Sequence, residues 1–266
     1  SYHNDIYPLL KKKFKINGST KFSIDKFFVY NKQTQKEFSK YVDANFEIIG
    51  SAIANNNKQK NKTNEVISYV SNYAKSADDK SIYYTGTDDI LKKDIRNSCI
   101  KDIRLIYNFC RSKKFKLNIL AKMNILVVGP ELVALEKKFY EEALPNRQFD
   151  LIECKNRDNF KELDRSALVI GEVSNLLYES IFRGNKTFFL NSYPDHKILN
   201  TKRFGYLSGY PSAGPFWANS TCTNIEESLN KVLKMTSYQW KETTNIYNPE
   251  LIYLDENNSK LKNYFN

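Results

Sequence analysis

The sequence predicts an α/β protein with one doubly wound parallel sheet and part of a second domain of the same kind. Short apolar runs alternate with segments of helical periodicity from about residue 65 onward, which is typical of a parallel sheet covered by helices. A polar stretch without apolar periodicity, residues 55–64, precedes this region and reads as a linker. We therefore expect residues 1–57 to close one domain, residues 58–256 to form another, and residues 257–266 to be a terminal helix that crosses back.

The first domain is represented by a β-α-β pattern. A strand is predicted over residues 27–31, a helix over residues 33–42 with Phe38 and Tyr41 as apolar anchors, and a strand over residues 45–50. The chain starts with Ser1 and not with Met, so we expect this domain to be truncated at its beginning.

The second domain repeats the alternation several times. Strands are predicted over residues 66–71, 117–121, 149–152, 167–171 and 186–190, and helices over residues 90–111, 130–143, 159–163, 174–183, 224–235 and 238–244. The terminal helix that follows this domain is predicted over residues 258–265. Pro, Gly and aromatic residues are mixed in residues 192–220, which predicts a loop that contains packed rings.

The stretch Ser166–Asn191 organises the chain, because it reads as strand, tight turn, helix and strand. The polar turn contains Ser174 and Asn175 as candidate N-caps, and Gly184 is placed to end the helix. Unpaired N–H groups and the helix dipole attract a phosphate at such a helix start. Glu179 follows on the same helix and is a carboxylate suited to a ribose diol.

The same stretch resembles the nucleotide-binding signature of GT-B glycosyltransferases, which have two Rossmann-like domains. Its helix and the following turn share six positions with bacterial surface-polysaccharide transferases, including those that use CMP-linked acidic sugars such as sialic acid or Kdo. The matching residues are Ser174, Tyr178, Glu179, Arg183, Gly184 and Lys186. The resemblance extends over most of residues 25–265. It implies a GT-B-like, metal-independent glycosyltransferase that moves a sugar from a nucleotide donor to a growing surface polysaccharide.

The resemblance also implies where the donor binds. Ser174 and Asn175 are expected at the phosphate and Glu179 at the ribose. Ser71 and Asn72 end the first strand of the second domain and are expected at the same cleft. Lys122 follows the next strand, where related transferases carry a His-Pro motif, and is expected to place a charge on the phosphate.

The general base that deprotonates the acceptor hydroxyl is expected at His3 or Asp5, because related transferases carry a histidine motif in this region. His196 is expected to be an exposed loop residue. No DxD motif stands at a strand end, and GT-B enzymes stabilise the leaving phosphate without a metal. We therefore expect no metal and no cofactor other than the nucleotide-sugar substrate.

The net charge limits the classes of binding partner, and the cysteine content indicates the cellular compartment. The chain of 266 residues has a formal net charge of +11 but no recognisable nucleic-acid motif, so we expect anionic donors or an anionic membrane face and no nucleic acid. Four cysteines lie far apart in the sequence, which is typical of free thiols in a reducing compartment. A cytoplasmic location is expected, with peripheral contact at the inner membrane face left open.

Three alternatives to a sugar transferase stay open. Within the same class, the chain could be a glycerophosphate transferase of the teichoic-acid type or a nucleotide-sugar epimerase. From a different class, it could be a non-catalytic module that binds a nucleotide or an anionic glycan. The acceptor is expected to be a glycan or a lipid-linked glycan.

Overall fold

The computed structural model describes residues 21–55, 65–73, 89–121, 130–153, 159–172, 174–191, 213–219, 224–247, 253 and 255–265. These residues fall into two compact units. Unit 1 takes the described residues within Ser1–Lys58, Tyr178–Gly184 and Thr236–Asn266, and unit 2 takes those within Gln59–Leu177 and Asn185–Met235.

Unit 1 begins with two parallel strands, β1 (Phe22–Val29) and β2 (Val42–Ile48), joined by helix α1 (Lys32–Phe38). A parallel pair needs a crossover connection, and the helix supplies it. Asn31 precedes the helix, and its side-chain oxygen accepts a hydrogen bond from the Thr34 amide at 2.7 Å, which caps the first turn.

Unit 2 is built on one sheet in which seven of the described strands pair. The strands are β3 (Val66–Val70), β4 (Lys116–Leu120), β5 (Asp150–Ile152), β6 (Leu168–Gly171), β7 (Thr187–Asn191), β8 (Ala213–Gly214) and β9 (Trp217–Asn219). Their order across the sheet is β5-β4-β3-β6-β7-β9-β8, and every neighbouring pair is parallel except β8 with β9. The predicted α/β class with a doubly wound parallel sheet is confirmed.

Five helices of the described chain accompany this sheet. They are α2 (Asp89–Ser112), α3 (Pro130–Ala143), α4 (Asn159–Arg165), α5 (Asn175–Phe182) and α6 (Ile225–Lys234). The first residues of α5 belong to unit 2, and the residues from Tyr178 onward belong to unit 1. Apolar residues three or four positions apart bury one face of α2, namely Cys99, Ile103, Ile106 and Cys110.

The C-terminal segment completes unit 1 with helix α7 (Ser237–Tyr247), a 3₁₀ turn (Glu256–Asn258) and helix α8 (Ser259–Phe265). The buried Asn55 side chain holds this segment, because its amide donates to Asn258 Oδ1 at 2.8 Å and its oxygen accepts from the Asp255 amide at 3.3 Å. The rings of Phe28 in β1 and Tyr264 in α8 pack edge-on with centroids 5.1 Å apart. Residues some 200 positions apart in sequence are thus joined within one unit.

Several predicted elements agree with the structure and others differ. The helix predicted over residues 33–42 ends at Phe38, and the strand predicted over residues 45–50 already begins at Val42. Helix α3 has the predicted bounds, and α2 extends one residue further at each end. Strand β1 starts at Phe22 and not at residue 27, because its first residues are largely exposed and so lack the apolar signal of a buried strand. The predicted loop over residues 192–220 contains the hairpin of β8 and β9, which joins the sheet beside β7.

The two units divide the chain differently from the predicted domains. The structure groups residues 178–184 and 236–256 with unit 1, whereas the sequence pattern assigned them to the domain of residues 58–256. Local patterns carry no information about which distant segments pack together. The domain bounds stay a prediction.

Candidate functional site

The carboxyl ends of β3 and β6 form the topological switch point of the unit 2 sheet. These strands are hydrogen-bonded neighbours, with Val70 opposite Gly171. From β3 the chain proceeds through β4 to β5 in one direction, whereas β6 and β7 continue in the other. In open α/β sheets, ligands bind in the crevice outside the carboxyl ends of the strands at this point.

A hydrogen-bonded pair joins the two strand ends. The side-chain amide of Asn72, which follows β3, donates to Oε2 of Glu172, which follows β6. Asn72 is half-buried, and Glu172 is 4% exposed. The pairing fixes the orientation of the Asn72 amide, while its Oδ1 atom has no partner among the described residues.

A second buried carboxyl lies against Glu172. Asp102 of α2 is 1% exposed, and burial, followed by the charge of Glu172 and a hydrogen bond to it, raises the pKa of Asp102 well above its usual range. A protonated Asp102 carboxyl beside Glu172 is therefore favoured over two ionised carboxylates. Among the described residues, Asp102 Oδ2 and the hydroxyl of buried Tyr69 have no hydrogen-bond partner. These two buried groups can therefore still form hydrogen bonds.

Ser71 is turned into the interior of unit 2. Its side chain is 6% exposed, and its hydroxyl pairs with Glu136 Oε1 and, at 2.7 Å, with the Tyr140 hydroxyl. The hydroxyl also accepts the Tyr73 amide at 3.1 Å. Through these hydrogen bonds Ser71 connects the end of strand β3 to helix α3, which is a structural role.

Ser174 begins helix α5 as its N-cap. Its hydroxyl accepts the Leu176 amide at 3.2 Å, and its carbonyl accepts the Leu177 amide at 3.0 Å. The backbone amide of Asn175, an exposed residue, has no hydrogen-bond partner in the described chain. One donor at the positive end of the helix thus stays open for an anion.

Glu179 belongs to unit 1, where two hydroxyl groups contact its carboxylate. Oε1 accepts a hydrogen bond from the Ser51 hydroxyl at 2.6 Å and from the Tyr30 hydroxyl at 2.9 Å. Burial and the neighbouring carboxylate raise the pKa of Tyr30 above its usual range, so the phenol stays protonated and donates. Oε2 of Glu179 has no partner among the described residues.

The remaining predicted site residues, His3, Asp5 and Lys122, lie outside the described residues, as does His196. The described residues contain no cluster of His, Cys, Asp and Glu that could hold a metal ion. Over the same ranges, no helix is both long and apolar enough to span a bilayer. Cys99 and Cys110 are buried free thiols, in agreement with the free thiols that the sequence predicted at these two positions.

Sequence reasoning missed the acidic residues around the switch point. Asp102 interrupts the apolar stripe of α2, and Glu136 lies three residues after Val133 on the buried face of α3. A carboxylate at a core position of an amphipathic helix is the local signal that could have found both. No local pattern gives Glu172 a role, because its partner Asn72 is 100 positions away.

Comparisons with known proteins place the chain in a family. Among solved structures it resembles the wall teichoic acid polymerase TagF, with 16% identity and a TM-score of 0.49 over 91% of this chain and 55% of that chain. This chain therefore spans little more than half the length of that polymerase. No curated protein matches the sequence. A family model described as "putative O-antigen biosynthesis protein" matches residues 1–266. The chain thus belongs to this family of O-antigen biosynthesis proteins.

Proposed function

We propose that this protein is a glycosyltransferase of GT-B type that acts in surface-glycan synthesis and binds a nucleotide-activated sugar at the carboxyl ends of β3 and β6. One observation carries the proposal. At the switch point, the Asn72–Glu172 pair lies beside the start of α5, where Ser174 caps the helix. Membership in a family of O-antigen biosynthesis proteins supports a role on glycans.

Each group has a role in the proposed reaction. The open Asn175 amide and the positive end of α5 bind a donor phosphate and stabilise the negative charge that develops as the sugar leaves. The Ser174 hydroxyl adds a contact to the same phosphate. Oδ1 of Asn72, oriented by Glu172, accepts a hydrogen bond from the nucleoside. No step in this mechanism requires a metal.

Three further assignments come from the sequence and belong to the same proposal. His3 or Asp5 is the general base on the acceptor hydroxyl, Lys122 is a point charge on the donor phosphate, and Glu179 binds the ribose through its second oxygen. The acceptor is a glycan or a lipid-linked glycan. The protein works in the cytoplasm, either free or in peripheral contact with the inner face of the membrane.

A thermal-shift screen with CMP, CDP, UDP and GDP tests nucleotide binding, because a ligand that binds the folded state raises its apparent stability. The best nucleotide is then supplied as its sugar conjugate without acceptor. A transferase hydrolyses the donor slowly and loses this activity in His3→Ala or Asp5→Ala, whereas a binding module leaves the donor intact. If CDP-glycerol is consumed and sugar donors are not, the protein is a glycerophosphate transferase.

A further inference from the structure

A basic pocket lies at the opposite edge of the unit 2 sheet, at the amino ends of β4 and β5. Its cavity volume is about 650 Å³, within the range of small-molecule sites. The end of α2 supplies Tyr107 and Arg111, the start of β4 supplies Lys116, and the start of β5 supplies Asp150. Because the proposed nucleotide site lies at the carboxyl ends of the strands, the pocket is separate from it.

The charges that line the pocket are unbalanced. Lys116 forms an ion pair with Asp150 at 2.5 Å. Arg111, Lys114 and Arg147 also line it, and none of these three has a carboxylate partner in the described part of the chain. Three cations around one cavity repel each other, and a bound anion relieves that repulsion.

Arg147 is held in place by an aromatic ring. Its guanidinium lies over the ring of Tyr107, with Cζ 5.0 Å from the ring centroid, an arrangement that favours arginine over lysine. Nη1 is buried and has no hydrogen-bond partner among the described residues. A buried guanidinium nitrogen without an acceptor is costly, and a phosphate oxygen in the pocket satisfies it.

Lys114 occupies a backbone position where glycine is usual. Its φ of 60° is left-handed, and it follows helix α2 at the place where a glycine commonly ends a helix. The backbone amides of residues 113–115 already donate to the carbonyls of residues 109–111. The side chain of Lys114 therefore takes no part in capping the helix, and its ammonium group is available to the pocket.

We propose that this pocket binds a phosphate group, in the form of a phosphomonoester or a diphosphate, which a soluble compound or a membrane lipid carries. The planar fork of Arg147 matches two phosphate oxygens. Lys114 and Arg111 add charge at the exposed rim, where a headgroup or a free phosphate can enter. The assignment stands independently of the proposed transferase activity.

The first arm of the test is calorimetric titration with inorganic pyrophosphate. We expect Arg147→Gln and Lys114→Gly each to weaken binding by about tenfold or more, and Arg147→Lys to retain part of the affinity. Lys114→Gly suits a left-handed φ, so it removes the charge without straining the fold. The matched control is Lys138→Gln, which removes an exposed positive charge of α3 outside the pocket. Thermal unfolding verifies that each variant is folded.

The second arm is cosedimentation with phosphatidylcholine vesicles that contain or lack phosphatidic acid. Binding of pyrophosphate but not of vesicles identifies a soluble ligand. Binding that requires phosphatidic acid identifies a lipid headgroup as the ligand. In either case the pocket variants must lose the binding. The proposal is overturned if the parent binds neither probe, or if folded Arg147→Gln and Lys114→Gly bind as the parent does.

Discussion

The Asn72 side-chain amide donates a hydrogen bond to the carboxylate of Glu172, and the two residues follow neighbouring strands where the sheet order reverses. Glu172 also lies against the buried carboxyl of Asp102. Two acidic side chains in one buried site cannot both ionise at low cost. The raised pKa of Asp102 has a consequence for stability that a pH series can measure.

Replacing Asp102 should remove a pH dependence of folding. Its pKa is raised in the folded state by burial and by Glu172, so the folded protein keeps a proton that the unfolded chain releases above about pH 4. The contribution of Asp102 is full below that pH and is lost as the pH rises through the folded-state pKa. We expect Asp102→Asn to reduce this loss of stability with rising pH, so that the variant is at least as stable as the parent at neutral pH.

Urea unfolding across the acidic to neutral range provides the measurement. Glu131→Gln, which removes an exposed carboxylate of α3, is the matched control and should leave the slope as in the parent. Identical slopes for the parent and Asp102→Asn would contradict the assignment.

Ser174→Ala should lower both the stability of the start of helix α5 and the affinity for the nucleotide. The Leu176 amide loses its acceptor, which should lower the free energy of unfolding by about 0.5–2 kcal/mol. Nucleotide binding should weaken by about 1–2 kcal/mol. Ser174→Thr retains a hydroxyl and serves as the control. Calorimetric titration with the best nucleotide decides the matter, and unchanged affinity in folded Ser174→Ala would exclude the phosphate contact.

Glu179→Ala separates two roles of one carboxylate. The hydroxyls of Ser51 and Tyr30 lose their acceptor, so we expect a loss of about 1–3 kcal/mol in the free energy of unfolding. A ribose contact predicts that nucleotide binding also weakens by about 1.5–3 kcal/mol.

Glu179→Gln keeps an oxygen acceptor for both hydroxyls but removes the charge. Its unfolding should therefore be close to that of the parent, while its nucleotide affinity should fall. If folded Glu179→Ala binds the nucleotide as tightly as the parent, Glu179 has only a structural role.

Gly50→Ala should destabilise unit 1. Gly50 has a φ of 67°, and an added Cβ would lie 2.2 Å from the carbonyl oxygen of Tyr253. Both the left-handed backbone and the clash oppose a side chain, so we expect a loss of about 2–4 kcal/mol. Gly184 has a similar φ of 75° but is exposed, so Gly184→Ala should cost about 1 kcal/mol. Equal melting temperatures for the two variants would refute the close contact.

Some features of this protein follow from local sequence alone. The bounds of α3, the long helix α2 and the strands β3, β4, β6 and β7 were predictable because their apolar spacing repeats within a few residues. Ser174 as an N-cap and Gly184 with its positive φ also follow from local chemistry.

Tertiary structure decided which of these residues meet. Glu179 contacts hydroxyls that are 128 and 149 positions away, and Ser71 contacts Glu136 on a helix 65 positions later. The strand order, which makes Asn72 and Glu172 neighbours, depends on how the crossovers pack. Such pairs leave no periodic signal, because their stabilisation arises only when separate apolar faces are buried together and the polar groups between them must find partners.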